Sequence, residues 1–301
     1  MQVRNLKKKR QSSSDRRLQL FVYILLILLL IATLYPLIYV VSCSFSDGSA
    51  VTAGRVLLWP VNFSTTGYEI VFNYKHVWIG YRNTIFYTVA GTCINLIMTT
   101  MVAYPLSRRN FQGRGIYMTL YMITMFFGGG IIPSYILLNS LHMTNSIWAL
   151  LIPGAVSVYN MIIMRTFFQN SIPTELHEAA KIDGISDIGY LFKIVIPLSK
   201  TVFSVITLYY AVGHWNSYFG AMLYLRNRDL FPLQLFLREI LNSAKVDLSQ
   251  IDDPELLAQM RSANDVMKYS LIVISSLPII VFYPFVQRYF EKGVMIGSVK
   301  G

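Results

Sequence analysis

Six apolar runs without a single Asp, Glu, Lys or Arg constrain this chain more than any other feature: Leu18–Val41, Thr84–Leu106, Ile116–Leu138, Ser146–Met164, Thr201–Leu225 and Tyr269–Val286. A helix rises about 1.5 Å per residue, so about 20 apolar residues cross the hydrocarbon core of a bilayer. A charge at the centre of such a helix costs at least about 2.5 kcal/mol on insertion scales, which accounts for the exclusion. The 301 residues include only 14% Asp, Glu, Lys and Arg, against roughly 25% in soluble domains. The pattern predicts an all-α membrane protein with six transmembrane helices in one domain, residues 18–290. The third run is interrupted by Gly128, Gly129, Gly130 and Pro133. A kink or a locally open turn is expected there, facing protein or water and not lipid.

Charge between the runs sets the expected direction. Arg4, Lys7, Lys8, Lys9, Arg10, Arg16 and Arg17 precede the first run. Arg108, Arg109 and Arg114 follow the second, Lys181, Lys193 and Lys200 the fourth, and Arg288, Lys292 and Lys300 the sixth. Basic residues gather in cytoplasmic loops, so both termini are expected inside: a basic stretch at 1–17 and a tail at 291–301. The segments 42–83 and 226–268 are then extracytoplasmic. The second of these carries six basic and seven acidic residues and is close to neutral. In it Leu233, Phe236, Leu237 and Ile240 recur at helical spacing. Amphipathic helices outside the membrane are expected, as a surface cap or as a docking platform for a soluble partner.

The net charge of +11 does not indicate nucleic acid, because its densest cluster directly precedes an apolar run. Flanking a membrane span is the ordinary place for such a cluster, and contact with lipid headgroups is a second reading. The two cysteines, Cys43 and Cys93, do not form a disulfide framework, since Cys93 lies inside an apolar run. "VVSC" resembles a lipoprotein cleavage box only loosely. The 24 residues Leu18–Val41 before it exceed a signal-peptide core of about 7–15, so the run reads as a retained helix.

Between the fourth and fifth runs stands "SIPTELHEAAKIDGISDIGYLFKIVIPLSK", residues 171–200. It reads as two short helices with a hinge. Ser171 or Thr174 can cap the first, with Pro173 near its start. Glu175 and Glu178 lie in the first turns, where the helix dipole favours acid. Gly184 after Asp183 suits a left-handed helix terminus. Ser186 can cap the second helix, and Pro197 ends it. On physical grounds alone this is either a solvated hairpin or a docking element.

"EAAKIDGISDIGYLFKIVIPLSK" resembles the EAA loop of binding-protein-dependent ABC importer permeases. The matching positions are Glu178, Ala179, Ala180, Gly184 and, at the following turn, Ile194 and Pro197. Many members carry a second proline four residues later, where this chain has Thr201; entry into the fifth span is then less sharply bent. "FGGGIIPSYILLNSLHMTNSIWALLIPGAVSVYNMIIMRTFF" and "YPFVQRYFEKGVMIGSVKG" extend the resemblance over nearly the whole chain. They point to the carbohydrate-uptake branch, with its maltose-type G subunits and LplC-type saccharide permeases.

The resemblance implies a type I ABC importer permease fold in the bacterial cell (inner/plasma) membrane. It implies that the helix with Glu178, Ala179, Ala180, Asp183 and Gly184 docks into a cytoplasmic ATPase dimer, the two alanines allowing close approach. The tail residues Gly297, Lys300 and Gly301 would reach toward the same dimer. Further implied partners are a second permease subunit, in a heterodimer, and an extracytoplasmic sugar-binding protein. ATP and Mg would be bound by the ATPase, and no cofactor by this chain.

No G-x-x-x-x-G-K-[ST] occurs in the sequence, so the chain offers no phosphate loop of that type. His76, His142, His177 and His214 are scattered without ligand spacing, and no catalytic or metal residues are expected. Within the runs, Asn95, Asn160, Trp215, Asn216 and Tyr218 are candidates for a substrate pathway, since rings stack on sugar C–H faces and amides bond hydroxyls. They equally suit hydrogen bonds between neighbouring helices. The resemblance adds that maltose-type pairs hold sugar mostly in the other subunit. An ion-coupled secondary transporter is the alternative, but no run holds a carboxylate and His214 is the one titratable candidate in "GHWNSYFGA". A non-transporting membrane scaffold is a third reading.

Overall fold

The computed structural model describes residues 13–243 and 253–298, and they are helical almost throughout. In chain order the helices are α1 (Ser13–Ser44), α2 (Gly48–Thr52), α3 (Thr66–Asn73), α4 (Lys75–Ser107), α5 (Arg114–Phe126), α6 (Ile131–Ser140), α7 (Trp148–Leu151) and α8 (Val158–Ser171). There follow α9 (Thr174–Ile182), α10 (Asp187–Tyr190), α11 (Ile196–Leu198), α12 (Lys200–Trp215), α13 (Phe219–Tyr224), α14 (Leu233–Ser243) and α15 (Pro254–Ser298). A π-turn spans Leu191–Val195 and a 3₁₀ turn Arg228–Leu230. The basic cluster from Arg4 to Arg10, and Lys300 and Gly301, lie outside the described residues.

Among the described residues three helices are long and apolar enough to cross a membrane, within α1, α4 and α15. Two bent pairs meet the same measure when each is taken together: α5 with α6, bent by 112°, and residues 187–198 with α12, bent by 83°. The first bend falls on Gly128–Gly130, as the sequence predicts, with Gly130 at φ +85°. Two other predicted runs are not continuous helices. Ser146–Met164 is broken between α7 and α8, where Pro153 and Gly154 stop one helix and the Ser157 side chain caps the next by accepting from the Asn160 N–H (3.4 Å). Thr201–Leu225 is broken after Trp215, and α13 begins only at Phe219. Apolar content predicted membrane depth at these places, but backbone breakers decide helix continuity.

The described residues divide into two compact units. In the first, residues 13–71 and 253–273, a small cluster of Cys43, Ala50, Val51, Val56 and Val266 forms the core. In the second, residues 72–243 and 274–298, α4 packs against α8 and α12. Its core includes Ala103, Met161, Met164, Phe168, Val202 and Ile206. Side chains of α8 close the C-terminal end of α4: Arg165 Nε donates to the Leu106 carbonyl (3.0 Å) and Gln169 Nε2 to that of Ser107 (3.3 Å). These satisfy carbonyls that a helix end leaves open.

Candidate functional site

The segment 171–200 forms a loop fastened tightly to the second unit. Helix α9 ends in a Schellman motif: Ile185 N–H donates to the Ala180 carbonyl (2.8 Å) and Gly184 N–H to that of Lys181 (3.1 Å). Gly184 holds φ +71°, a conformation that costs other residues about 1 kcal/mol or more. Ser186 caps α10 by accepting from Gly189 N–H (3.2 Å). The start of α9 departs from expectation. Its cap position is Pro173, without a side-chain hydrogen bond, and neither Ser171 nor Thr174 serves. The predicted stop at Pro197 also shifts: Pro197 lies inside α11, and the bend falls at Ser199. Pro197 lies near the C-terminal end of the continuous helical stretch 187–198, just after the π-turn.

Two contacts hold this loop to the end of α4, and two more brace it from within. The Arg108 guanidinium lies between two rings, 4.6 Å from the centroid of Tyr104 and 4.7 Å from that of Tyr190. Tyr104 Oη donates to the Asp187 carbonyl (3.0 Å). His177 packs edge-on against Tyr190, ring centroids 5.0 Å apart, and its Nε2 lies 3.0 Å from Asp187 Oδ1. That hydrogen bond from His177 is the main cause holding the Asp187 carboxyl below the usual carboxylate range.

The loop's residues fall into two sets. Ala180, Tyr190 and Val195 are buried in the unit's own core, with Ile185 and Ile194 packed against it. Glu178, Ala179, Asp183, Gly184 and Pro197 are exposed. So are large apolar side chains: Ile182 is 87% exposed, Ile188 71%, Phe192 63% and Leu198 55%. The expected alanine pair therefore splits. Ala179 faces outward, whereas Ala180, at 3% exposure, is a core residue of this chain and unavailable to a partner.

Behind the loop, two polar rungs cross the helices at membrane depth. Asn95 Nδ2 donates to the Gly154 carbonyl (2.6 Å), and its Oδ1 meets His214 Nε2 (2.6 Å). One turn along both helices, Thr99 Oγ1 lies 2.7 Å from Tyr210 Oη, which accepts from the Ser157 N–H (3.0 Å). Each rung ties α4, α12 and the broken stretch 152–157 together. It serves backbone groups that no water-free environment would satisfy. Gly91 lets His214 lie against α4, since a Cβ there would stand 2.4 Å from His214 Nε2.

The pathway candidates accordingly separate. Asn95 is committed to its rung. Trp215 donates to the Ser275 carbonyl (3.0 Å) and, with Asn160, lines a largely apolar cavity of about 1090 Å³ between α4, α8, α12 and the second part of α15. Asn216 and Tyr218 are exposed in the break after α12, with the Arg238 guanidinium 4.7 Å over the Tyr218 ring. Gly297 lies near the end of α15. Arg108, Tyr190 and Tyr210 were not singled out from sequence. The four-residue spacings Gly91–Asn95–Thr99 and Tyr210–His214 are the signal that would have found the rungs.

Apolar helices long enough to cross a bilayer, with a capped loop packed against the end of one of them, define a multi-pass membrane protein. The chain belongs to the family described as the binding-protein-dependent transport system inner membrane component, whose model matches residues 77–296. It is thus a multi-pass ABC transporter permease subunit of the inner membrane. It is similar to the polygalacturonan/rhamnogalacturonan transport system permease protein YtcP of Bacillus subtilis (strain 168), 37% identical over 95% of this chain and 99% of that protein. Protein LplC of the same organism is 38% identical over 89% of this chain and 90% of its own length. Among solved structures, a chain of a bacterial ABC transporter involved in the import of the acidic polysaccharide alginate matches with a TM-score of 0.84. The two are 36% identical, over 94% of this chain and 100% of that one.

Proposed function

We propose that this chain forms one half of the translocation pathway of a saccharide importer, driven through its 171–200 loop by a separate cytoplasmic ATPase. The observation that carries the reading is the outward apolar face of that loop, Ile182, Ile188 and Phe192, on a segment pinned to the end of α4. Large apolar side chains held rigidly in water mark a protein-docking surface. Saccharide as cargo rests on the names of the relatives, which transport polygalacturonan or rhamnogalacturonan and alginate. An oligosaccharide or complex saccharide is the fitting class.

In this reading ATP and Mg bind the ATPase and not this chain. A second permease supplies the other half of the pathway in a heterodimer, and an extracytoplasmic binding protein delivers the sugar. Helices α1, α4 and α15, the bent pair α5–α6 and the broken runs 146–164 and 201–225 are then six spans, with both termini and the 171–200 loop in the cytoplasm. Glu178, Ala179, Asp183 and Gly184 belong to the docking face, and the tail residues Gly297, Lys300 and Gly301 reach toward the same ATPase. Ala180, Ile194 and Pro197 shape the loop from within or at its edge. Asn160, Trp215, Asn216 and Tyr218 remain the side chains closest to a sugar route.

The test is Ile182→Asp with Ile188→Asp in the reconstituted transporter. A buried contact losing two large apolar groups should release the ATPase or cut binding-protein-stimulated hydrolysis at least about tenfold, since about 1.4 kcal/mol corresponds to a factor of ten. The melting temperature of the isolated permease should not move, because both side chains are exposed without the partner. Ala179→Trp should act in the same way, and Ala180→Trp should instead lower the melting temperature. Normal coupling in the double Asp variant would refute the docking face.

A further inference from the structure

Polar groups where the 171–200 loop meets α4 are mostly paired. The Tyr104 hydroxyl donates to the Asp187 carbonyl (3.0 Å) and the Ser107 hydroxyl to the Tyr104 carbonyl (2.6 Å). Arg165 and Gln169 cover the carbonyls of Leu106 and Ser107. Three buried atoms are exceptions: among the described residues Arg108 Nε, Tyr190 Oη and Ser199 Oγ have no hydrogen-bond partner. Tyr190 and Ser199 are both at 0% exposure. A buried polar group left unpaired costs free energy, so folded proteins hold few of them. All three stand where the loop joins a membrane helix. Arg108 lies immediately past α4, Tyr190 ends α10 against it, and Ser199 marks the 83° bend into α12.

Taking the loop as the ATPase-docked element proposed above, we infer that Arg108 and Tyr190 are positioning residues for transport, a sliding joint that passes loop movement to α4. The Arg108 guanidinium is held between the rings of Tyr104 and Tyr190, at 4.6 and 4.7 Å. Among the described residues the ion pairs are His177–Asp187, Arg228–Glu239 and Lys268–Asp265, and none includes Arg108. A cation is attracted to a whole ring face and not to one atom, so it can slide between two faces and stay held. The Tyr190 hydroxyl is on the rim of one of those rings. A short slide brings the Arg108 Nε–H to Tyr190 Oη, and one bond then pairs both orphan atoms. The joint therefore has two positions: the stacked one of this structure, and a hydrogen-bonded one reached when the ATPase moves the loop.

Two features suit the joint to carrying motion. The π-turn Leu191–Val195 directly follows Tyr190. Such a turn holds one residue more than an α-turn, so it can yield by about one residue's rise, 1.5 Å, and it recurs at functional sites. Helix α4 continues unbroken from Lys75 to Ser107 and bears Asn95 and Thr99 of the two rungs. Movement at its end is thus passed to the centre of the second unit.

The test is Tyr190→Phe in the reconstituted transporter, which removes one oxygen that bonds nothing in the stacked position. The melting temperature of the isolated permease should not fall, and the ATPase should stay bound as in the parent. Binding-protein-stimulated hydrolysis should drop several-fold. In an Arg108→Met background, which lacks Nε, adding Tyr190→Phe should lower it no further. With 15N-labelled arginine, the Arg108 Nε–H signal, assigned by its loss in Arg108→Met, should shift when ATP-Mg and vanadate hold the ATPase dimer closed. It should stay in place in Tyr190→Phe. Parental stimulation in Tyr190→Phe would overturn the joint, as would an Arg108 signal that does not move in the parent. So would a lower melting temperature, which means a bond of the resting fold, release of the ATPase, which means a docking role, or losses from the two substitutions that simply add. The double variant Ile182→Asp, Ile188→Asp reports separately on docking. Normal coupling there refutes the docking face, whereas the joint stands or falls on Tyr190→Phe and the Arg108 signal.

Discussion

Helices α1 and α4 have nearly the same length, 32 and 33 residues, and opposite characters. The best window of α1 has a mean hydropathy of 2.8 and none of it is buried; that of α4 has 1.6 and a third of it is buried. The less apolar helix packs more. In α1 the Thr33 hydroxyl donates back to the Leu29 carbonyl of its own helix (2.9 Å). In α4 polar groups reach other segments: Asn83 Nδ2 donates to the Asp229 and Phe231 carbonyls (2.6 and 3.0 Å), and Thr84 Oγ1 accepts from the Leu233 N–H (2.8 Å). Lipid tails compete with leucine on equal terms, so hydrophobicity alone gives a helix no partner within the bilayer. Small residues and hydrogen bonds do.

The comparison is attacked most strongly at Gly91. Gly91→Leu would drive a side chain into His214, whose ring a Cβ already meets at 2.4 Å. Overpacking costs about 1–3 kcal/mol, and displacing His214 adds the lost rung at about 0.6–1.7 kcal/mol. Leu28→Ala in α1, at a position 59% exposed, should stay within about 0.5 kcal/mol. Thermal unfolding of the purified protein in one detergent measures both. Similar losses from the two variants would show that α1 is as packed as α4.

A smaller effect belongs to Asn95→Ala. It removes the bonds to Gly154 and His214 and leaves the Gly154 carbonyl without that donor, about 1–2 kcal/mol in all. Thr33→Val in α1 should be neutral, since only a local bond is lost. A double-mutant cycle of Asn95→Ala with His214→Ala should show coupling, and strict additivity would mean that the rung does not exist in the membrane.

What the sequence made legible follows the same division. The charge-free runs, the Gly128–Gly130 bend, the Gly184 terminus and the Ser186 cap are local in origin, and each is where its residues place it. The breaks at Pro153–Gly154 and after Trp215 were hidden beneath apolar composition. The direction of Ala180 was hidden too, because Ala179 and Ala180 are chemically alike and only the packing of Tyr190 and Ile185 tells them apart. Arg108 was counted as a topological charge. Its place between Tyr104 and Tyr190 depends on residues 82 positions apart, a separation across which no periodicity runs.

The weakest expected effect sharpens the comparison by leaving the bilayer. The His177–Asp187 bond is 3.0 Å long, against 2.6 Å for the Asn95–His214 rung, and the Asp187 side chain is 71% exposed, so water competes with it. An exposed pair of this kind contributes only about 0.2–1 kcal/mol. Its pH dependence has a definite sign. The hydrogen bond from His177 holds the Asp187 pKa below its ordinary value, which is about 3.9 in an unfolded chain. The contribution is therefore complete above about pH 4 and is lost as the pH falls through the folded pKa below that point. Amide exchange in α9 and α10, corrected for intrinsic rates, should show Asp187→Asn less protected than the parent at pH 6. The two should converge only once the pH has fallen through the folded pKa, where the parent carboxyl takes up its proton. A difference that persisted unchanged after the parent carboxyl had titrated would assign the effect to packing of His177 on Tyr190. A difference larger than that of Asn95→Ala would overturn the claim that polar contacts count for more inside the membrane than at its edge.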